Sequence, residues 1–270
     1  MAVSTALQTA TVSTHYFYDS AIFALDQDFS VSKCPYILTN ESNQAATIAA
    51  LRSIHRPDKP FHIGFSGWEN YNLMIARHSC GALLGDINDT VMELFQRTQI
   101  EILRSKSRQE FVDNILLELE PQKELFFRDD NGIDSSAIRS ELEREGSWLS
   151  TDASYEFIRS LYQEGKIAHI RLDASDRTAF NKISRWLQAN QLTCDSLYLS
   201  NIGDWFMLKE DGGKGIRSMR ASINRVITDR TAIIDASEHF YHPSGSMPQR
   251  VIQAFPYDPI MERSRREALT

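Results

Sequence analysis

The sequence predicts an α/β fold: a doubly wound, mostly parallel, Rossmann-like sheet with helices on both faces and one helical insertion. Three observations carry that expectation. Short apolar runs alternate with amphipathic stretches along most of the chain, the order expected of parallel strands joined by crossover helices. The run Phe61-His-Ile-Gly-Phe-Ser-Gly-Trp-Glu-Asn70 breaks at Gly64, Ser66 and Gly67, and the next run, Gly81-Ala-Leu-Leu-Gly-Asp-Ile-Asn88, ends on Asp86. Strand, glycine turn, helix, strand, acid is the order of a nucleotide-binding βαβ unit. Polar residues also recur at the ends of the apolar runs: Ser66 and Glu69, Asp86 and Asn88, Asp173 and Ser175, Ser200 and Asn201. In such sheets ligands lie beyond the carboxyl ends of the strands.

The elements follow in order. Residues 14–29 carry apolar side chains at helical spacing and read as an amphipathic arm. Residues 34–38 read as a short strand or an extended entry. Thr39-Asn-Glu-Ser42 is a polar turn suited to capping a helix over 43–54. Pro57 and Pro60 stop that helix, and the central strand begins at Phe61. A helix is predicted over 71–77, and another from Asp89 or Thr90 to about 103. Ser107 and Glu110 have capping-box spacing ahead of Phe111, Ile115 and Leu119. Residues 128–132 read as a loop and 135–145 as a charged helix. Alternation resumes with a helix over 154–163, a strand over 167–173, a helix over 176–189, a strand over 194–201, a helix over 215–226 and strands over 231–235 and 250–255.

Residues 1–58 are expected to be an N-terminal arm and helix packing on or over the site. Residues 59–270 are expected to form the main domain. The insertion, about 104–150, is too thin in apolar residues for a core of its own.

Bulk properties exclude several classes. Acidic residues outnumber basic ones, 36 to 29, for a net charge of −7, which argues against a dedicated nucleic-acid binder. Cys34, Cys80 and Cys194 are an odd set without CxxC spacing, so neither a disulfide framework nor a zinc cluster is expected, and a reducing cytoplasm is. No stretch has the apolar length of a membrane span. The start of the chain lacks the basic and apolar regions of a secretory signal. No P-loop and no Gly-x-Ser-x-Gly elbow occurs. His239 and His242 lack a third metal ligand, so no metal is expected.

Four segments in order resemble the class I S-adenosylmethionine-dependent methyltransferase superfamily. Ile63-Gly-Phe-Ser-Gly-Trp-Glu-Asn70 is similar to its glycine loop, and Leu84-Gly-Asp-Ile-Asn88 to its second strand. Arg171-Leu-Asp-Ala-Ser175 is similar to its third strand, and Tyr198-Leu-Ser-Asn-Ile-Gly-Asp204 to its fourth. A narrower resemblance is to a bacterial methyltransferase-like family first noted as a Leptospira hypothetical protein. It rests on Gly64 to Asn70, stretched by one residue, on Asp86-Ile87, on Arg108-Gln-Glu-Phe111 and on Tyr198-Leu-Ser-Asn201. The chain departs from the superfamily's loop in carrying Trp68-Glu-Asn70 where a third glycine is usual.

The resemblance implies S-adenosylmethionine as cofactor. Gly64, Ser66 and Gly67 would line its amino-acid part, with Glu69 or Asn70 on the ammonium or carboxylate. Asp86, followed by Ile87 and Asn88, would hold the ribose. Asp173 and Ala174 would sit by the adenine. Ser200 with the catalytic candidates Asn201 and Asp204 would face the methyl and an acceptor, expected to be a small molecule. Two other classes stay open: an NAD(P)-linked Rossmann oxidoreductase, although the chain lacks GxGxxG, and a non-catalytic methyltransferase-like binding or host-interaction protein.

Overall fold

The computed structural model describes residues 35–127, 135–207, 213–237 and 247–258. The expected amphipathic arm over 14–29, Cys34, the 128–132 loop and the His239/His242 pair lie outside the described residues.

The strands are β1 (Glu41–Ser42), β2 (Pro60–Phe65), β3 (Gly81–Asp86), β4 (Ile167–Arg171), β5 (Thr193–Ser200), β6 (Ala232–Asp235), β7 (Met247–Pro248) and β8 (Arg250–Ile252). The helices are α1 (Gln44–Ser53), α2 (Glu69–Arg77), α3 (Asp89–Arg104), α4 (Arg108–Leu119), α5 (Lys123–Phe126), α6 (Ser135–Ser140), α7 (Asp152–Gln163), α8 (Arg177–Ala189), α9 (Ile202–Met207) and α10 (Lys214–Ile223).

Six strands form the main sheet in the order β4-β3-β2-β5-β6-β8. The first five pair in parallel, and β8 closes the edge antiparallel to β6. The fold is therefore the doubly wound, mostly parallel α/β sheet the alternation predicts. Counting only the parallel strands along the chain, the order runs 3-2-1-4-5, as in a Rossmann sheet, so the winding reverses between β2 and β5. The crevice above that reversal is where such a sheet offers a ligand site.

Side-chain alternation builds two layers of core. Phe61, Ile63 and Phe65 of β2 join Leu83, Leu197 and Ile233 under α8 and α10. The opposite face holds two clusters. Ala82 and Leu84 meet Tyr71, Met74, α3 and α7 in one, and Tyr198, Ala232 and Ile234 meet α1 and α2 in the other. β2 is buried along its whole length, as a central parallel strand covered on both faces must be. Phe111, Ile115 and Leu119 of α4 and Ile138 of α6 share one cluster with Trp68 and Trp148, so the inserted helices extend a layer of the sheet's own core.

Several sequence expectations change. Pro35–Leu38 is not a strand; the short strand is β1, further on. Asn43 precedes α1 in a left-handed conformation and makes no side-chain cap. Helix α6 ends at Ser140, and residues 141–151 run in turns instead of continuing it. The segment after β5 is a short helix, α9, where only a polar strand end is expected. A second, two-stranded sheet pairs β1 with β7 in parallel.

Candidate functional site

The C-terminal ends of β2 and β5 flank the winding reversal, and each carries a non-glycine residue in the left-handed region: Ser66, just after β2, at φ 66° and Ser200, the last residue of β5, at φ 52°. Such backbone is uncommon outside glycine and persists only when its surroundings hold it. At Ser66 the holding group is Asp86. The Ser66 N–H donates to Asp86 Oδ2 at 3.2 Å and the Asn88 N–H to Oδ1 at 2.9 Å. Burial pushes the Asp86 carboxyl up to about 6, against the pull of backbone N–H donors from Asn88, Ser66 and Ile87. Asn88 then caps α3, its side chain accepting from the Thr90 N–H at 3.1 Å. The structure thus brings Ser66, Asp86, Ile87 and Asn88 into one hydrogen-bonded group at the tips of β2 and β3.

Asn70 holds the same loop from below. Its Nδ2 donates to the carbonyls of Phe65 (2.9 Å) and Gly67 (2.7 Å), and its Oδ1 lies 3.0 Å from His62 Nε2. An amide oxygen only accepts, so His62 Nε2 carries the proton and Nδ1 accepts from the Ser196 hydroxyl at 2.8 Å. The ring is neutral, burial lowering its pKa to about 4. This arrangement explains Gly64: a Cβ there would stand 1.7 Å from Asn70 Oδ1. Gly67 makes room for another part of the chain, since its Cβ would stand 2.0 Å from the Tyr36 carbonyl oxygen and 2.7 Å from that of Ile37. The Ile37 carbonyl accepts from the Trp68 N–H at 2.9 Å. The space that the sequence assigns to a ligand beside both glycines is filled by protein, and both ends of the Asn70 amide are committed to it.

Glu69 points elsewhere. It opens α2, fully buried, and accepts from Asn72 Nδ2 (2.7 Å) and Gln249 Nε2 (3.0 Å). Gln249 Nε2 also donates to Glu41 Oε2 at 2.9 Å. Glu41 accepts in addition from the Tyr198 hydroxyl (2.9 Å) and the Ser200 hydroxyl (2.5 Å). Burial pushes the Glu69 carboxyl up to about 7, and raises that of Glu41 as well. The Oε1 of Gln249 is buried without a hydrogen-bond partner among the described residues. A cavity of about 160 Å3 adjoins Glu69 and is lined also by Thr39, Gln44, Asn72 and Arg144. Arg144 is held bidentately by Glu141 at 2.6 and 2.7 Å.

The remaining expected residues are separate from these groups. Asp173 accepts from the backbone and hydroxyl of Ser175 at 2.7 and 2.8 Å, closing its own turn. Ala174 is buried in the α8 core. Asn201 Nδ2 lies 3.3 Å from Met247 Sδ. Asp204 is buried in the first turn of α9, not exposed in a loop. Trp205 beside it is half exposed.

Sequence reasoning misses Glu41, Gln249 and Tyr198. Glu41 carries a signal that points the wrong way, because Thr39-Asn-Glu-Ser42 has the composition of a helix cap. Gln249 carries none.

A family model described as Domain of unknown function (DUF7790) matches residues 36–126 and 130–257. Among curated proteins none matches. Two solved structures of the rRNA methyltransferase aviRa from Streptomyces viridochromogenes are similar in part. One gives 13% identity and a TM-score of 0.39, over 82% of this chain and 84% of that one. The other gives 12% identity and a TM-score of 0.37, over 80% and 81%. At overlaps this low they bear on neither activity nor site. The narrower likeness to a family first noted in Leptospira finds no support among these comparisons.

Proposed function

Starting from a chain that belongs to the family Domain of unknown function (DUF7790), we propose a transferase that binds S-adenosylmethionine at the crest of β2 and β3. One observation carries the reading. The Asp86 carboxylate stands at the tip of the strand next to the winding reversal, half-buried, with the glycine loop folded onto it. A carboxylate has about four acceptor positions, and the backbone N–H groups of Asn88, Ser66 and Ile87 point at three of them. The remaining one is available to a ribose hydroxyl, which is the role an acid takes at this place in a Rossmann sheet.

The ribose end therefore fits the residues present. The opposite end is closed by the carbonyls of Tyr36 and Ile37 over Gly67, so entry of the cofactor requires residues 36–42 to move. When bound, the cofactor supplies an activated methyl group. The protein's part is alignment and exclusion of water. Ser66, Asp86 and Asn88 would orient the nucleoside. Ser200 and Asn201, at the tip of β5 on the other side of the reversal, would face the acceptor, whose chemical class is proposed to be a small molecule.

Titration calorimetry with S-adenosylmethionine and S-adenosylhomocysteine tests this. Binding by the wild type should weaken about 10- to 100-fold in Asp86→Ala, the range expected for hydrogen bonds to a charged group. Affinity should also fall as the pH drops below about 6, because the carboxyl is raised to that value and the protonated form loses acceptor capacity. No heat from the wild type at any pH, with NADH binding in its place, would move the assignment to the oxidoreductase class.

A second reading has its own observation. Both glycine spaces and the crevice above β2 and β5 are filled by the chain itself, as befits a methyltransferase-like module that binds a partner and performs no transfer. Absence of binding to every nucleotide cofactor, in a protein whose residues 36–42 remain in place, would favour it.

A further inference from the structure

Two segments far apart in sequence cover the crevice between β2 and β5. Residues 36–42 run across the glycine loop and end as β1; residues 247–249 run beside them as β7 and the link to β8. The Gln249 N–H donates to the Ser42 carbonyl at 3.0 Å, joining the two. Outside that ribbon, the cover touches the sheet's crest along its length. Ile37 accepts from Trp68, Met247 meets Asn201, and Glu41 accepts from Tyr198 and Ser200. Beneath it, the Gln249 amide reaches Glu41 on the strap and Glu69 on α2 at once, at 2.9 and 3.0 Å.

We propose that the Glu41–Gln249–Glu69 bridge is a proton-dependent latch, which holds residues 36–42 and 247–249 closed over the crevice when Glu69 is protonated and releases them when it ionises.

The geometry distinguishes the two acids. Glu41 has four side-chain donors, Ser200, Gln249, Tyr198 and Thr39, and is the better solvated of the pair by protein groups. Glu69 has two, from Asn72 and Gln249. Charged groups face Glu69 from each neighbouring element: Glu41 on the strap and Arg144 in the inserted segment. Tyr198 of β5, its phenol raised by burial and by both carboxylates, stays neutral. Arg144 is already neutralised by Glu141. Two carboxylates bridged by one amide and shielded from water disfavour a second negative charge. The orphaned Gln249 Oε1 leaves the bridge incomplete as a hydrogen-bonded network, a cost that the closed state carries.

The sign follows from linkage. In the closed state Glu69 titrates at about 7, above its ordinary 4.5; once exposed it returns toward the ordinary value. The closed state therefore binds the proton more tightly. Opening becomes easier as the pH rises between those two values, by up to about tenfold per pH unit, and levels off above the upper one.

Hydrogen exchange read by mass spectrometry on the full chain, without any ligand, tests the latch independently of the cofactor reading. After correction for intrinsic rates, peptides covering 36–43 and 247–250 should lose protection from pH 5 to 7.5, while peptides covering 194–199 in β5 stay more protected throughout. In Glu69→Gln the cover should keep its protection to pH 7.5. In Gln249→Leu it should be unprotected at every pH, with β5 unaffected. The proposal is overturned if the cover and β5 exchange together, if the wild-type cover shows no pH dependence, or if Glu69→Gln follows the wild-type slope.

Discussion

At position 64 a methyl group has nowhere to go, and the reason is not a ligand. The space belongs to Asn70, which ties polar atoms of β2 and β5 into one lock by way of His62 and Ser196. Gly64→Ala should therefore destabilise the protein by about 1–3 kcal/mol, the usual cost of overfilling a packed site, read as a lower urea midpoint with an unchanged slope. Residues whose reason for being lies nearby are legible in the sequence. Asp86 and Ser66 belong to a local pattern of glycines and acid, and the structure joins them. Gly64 is legible as a special position and misread in its purpose, because a missing Cβ announces a close approach without saying by what. Glu41 is not legible at all: the groups that justify it, Tyr198, Ser200 and Gln249, lie between 157 and 208 positions away.

Elements show the same division between local and distant causes. Periodicity places α3, α4, α7 and α8, because each is long enough to present a clear apolar stripe. It misses α9, six residues with fewer than two turns to repeat over. It finds β8 without its direction, which only the partner strand decides. The joint between α1, α2 and β5 also has no sequence signature. Arg77 at the end of α2 is buried there, pairing with both oxygens of Asp195 at 2.7 and 2.6 Å and donating to the carbonyls of Leu51, Ile54 and His55 at the end of α1. Those carbonyls are the unsatisfied end of a helix, and one guanidinium serves them and a carboxylate together. Arg77→Ala should cost about 3–5 kcal/mol, because it leaves the Asp195 charge buried and alone. Arg77→Lys should recover little of this, lacking the planar fork. Thermal or urea unfolding of the two variants beside the wild type gives the comparison.

For the whole molecule, the sheet order places the tips of the five parallel strands on one crest, and the alternation of the sequence is sufficient for that much. What alternation cannot foresee is that the crest is covered by a ribbon built from both sides of the domain. Pairings within the parallel sheet link neighbours such as β2 and β3, whereas β1 and β7 are about as distant along the chain as any two described elements. Contacts between remote segments pay a larger loop-closure penalty and form later. On refolding, pulse-labelled amides in β3 and β5 should become protected before the Gln249 amide; simultaneous protection would contradict this order. The feature has a consequence for synthesis as well. A chain on the ribosome has made all five parallel strands by residue 235 but owns no partner for β1 until residue 247 emerges, so the nascent protein carries an uncovered crest until β7 is made.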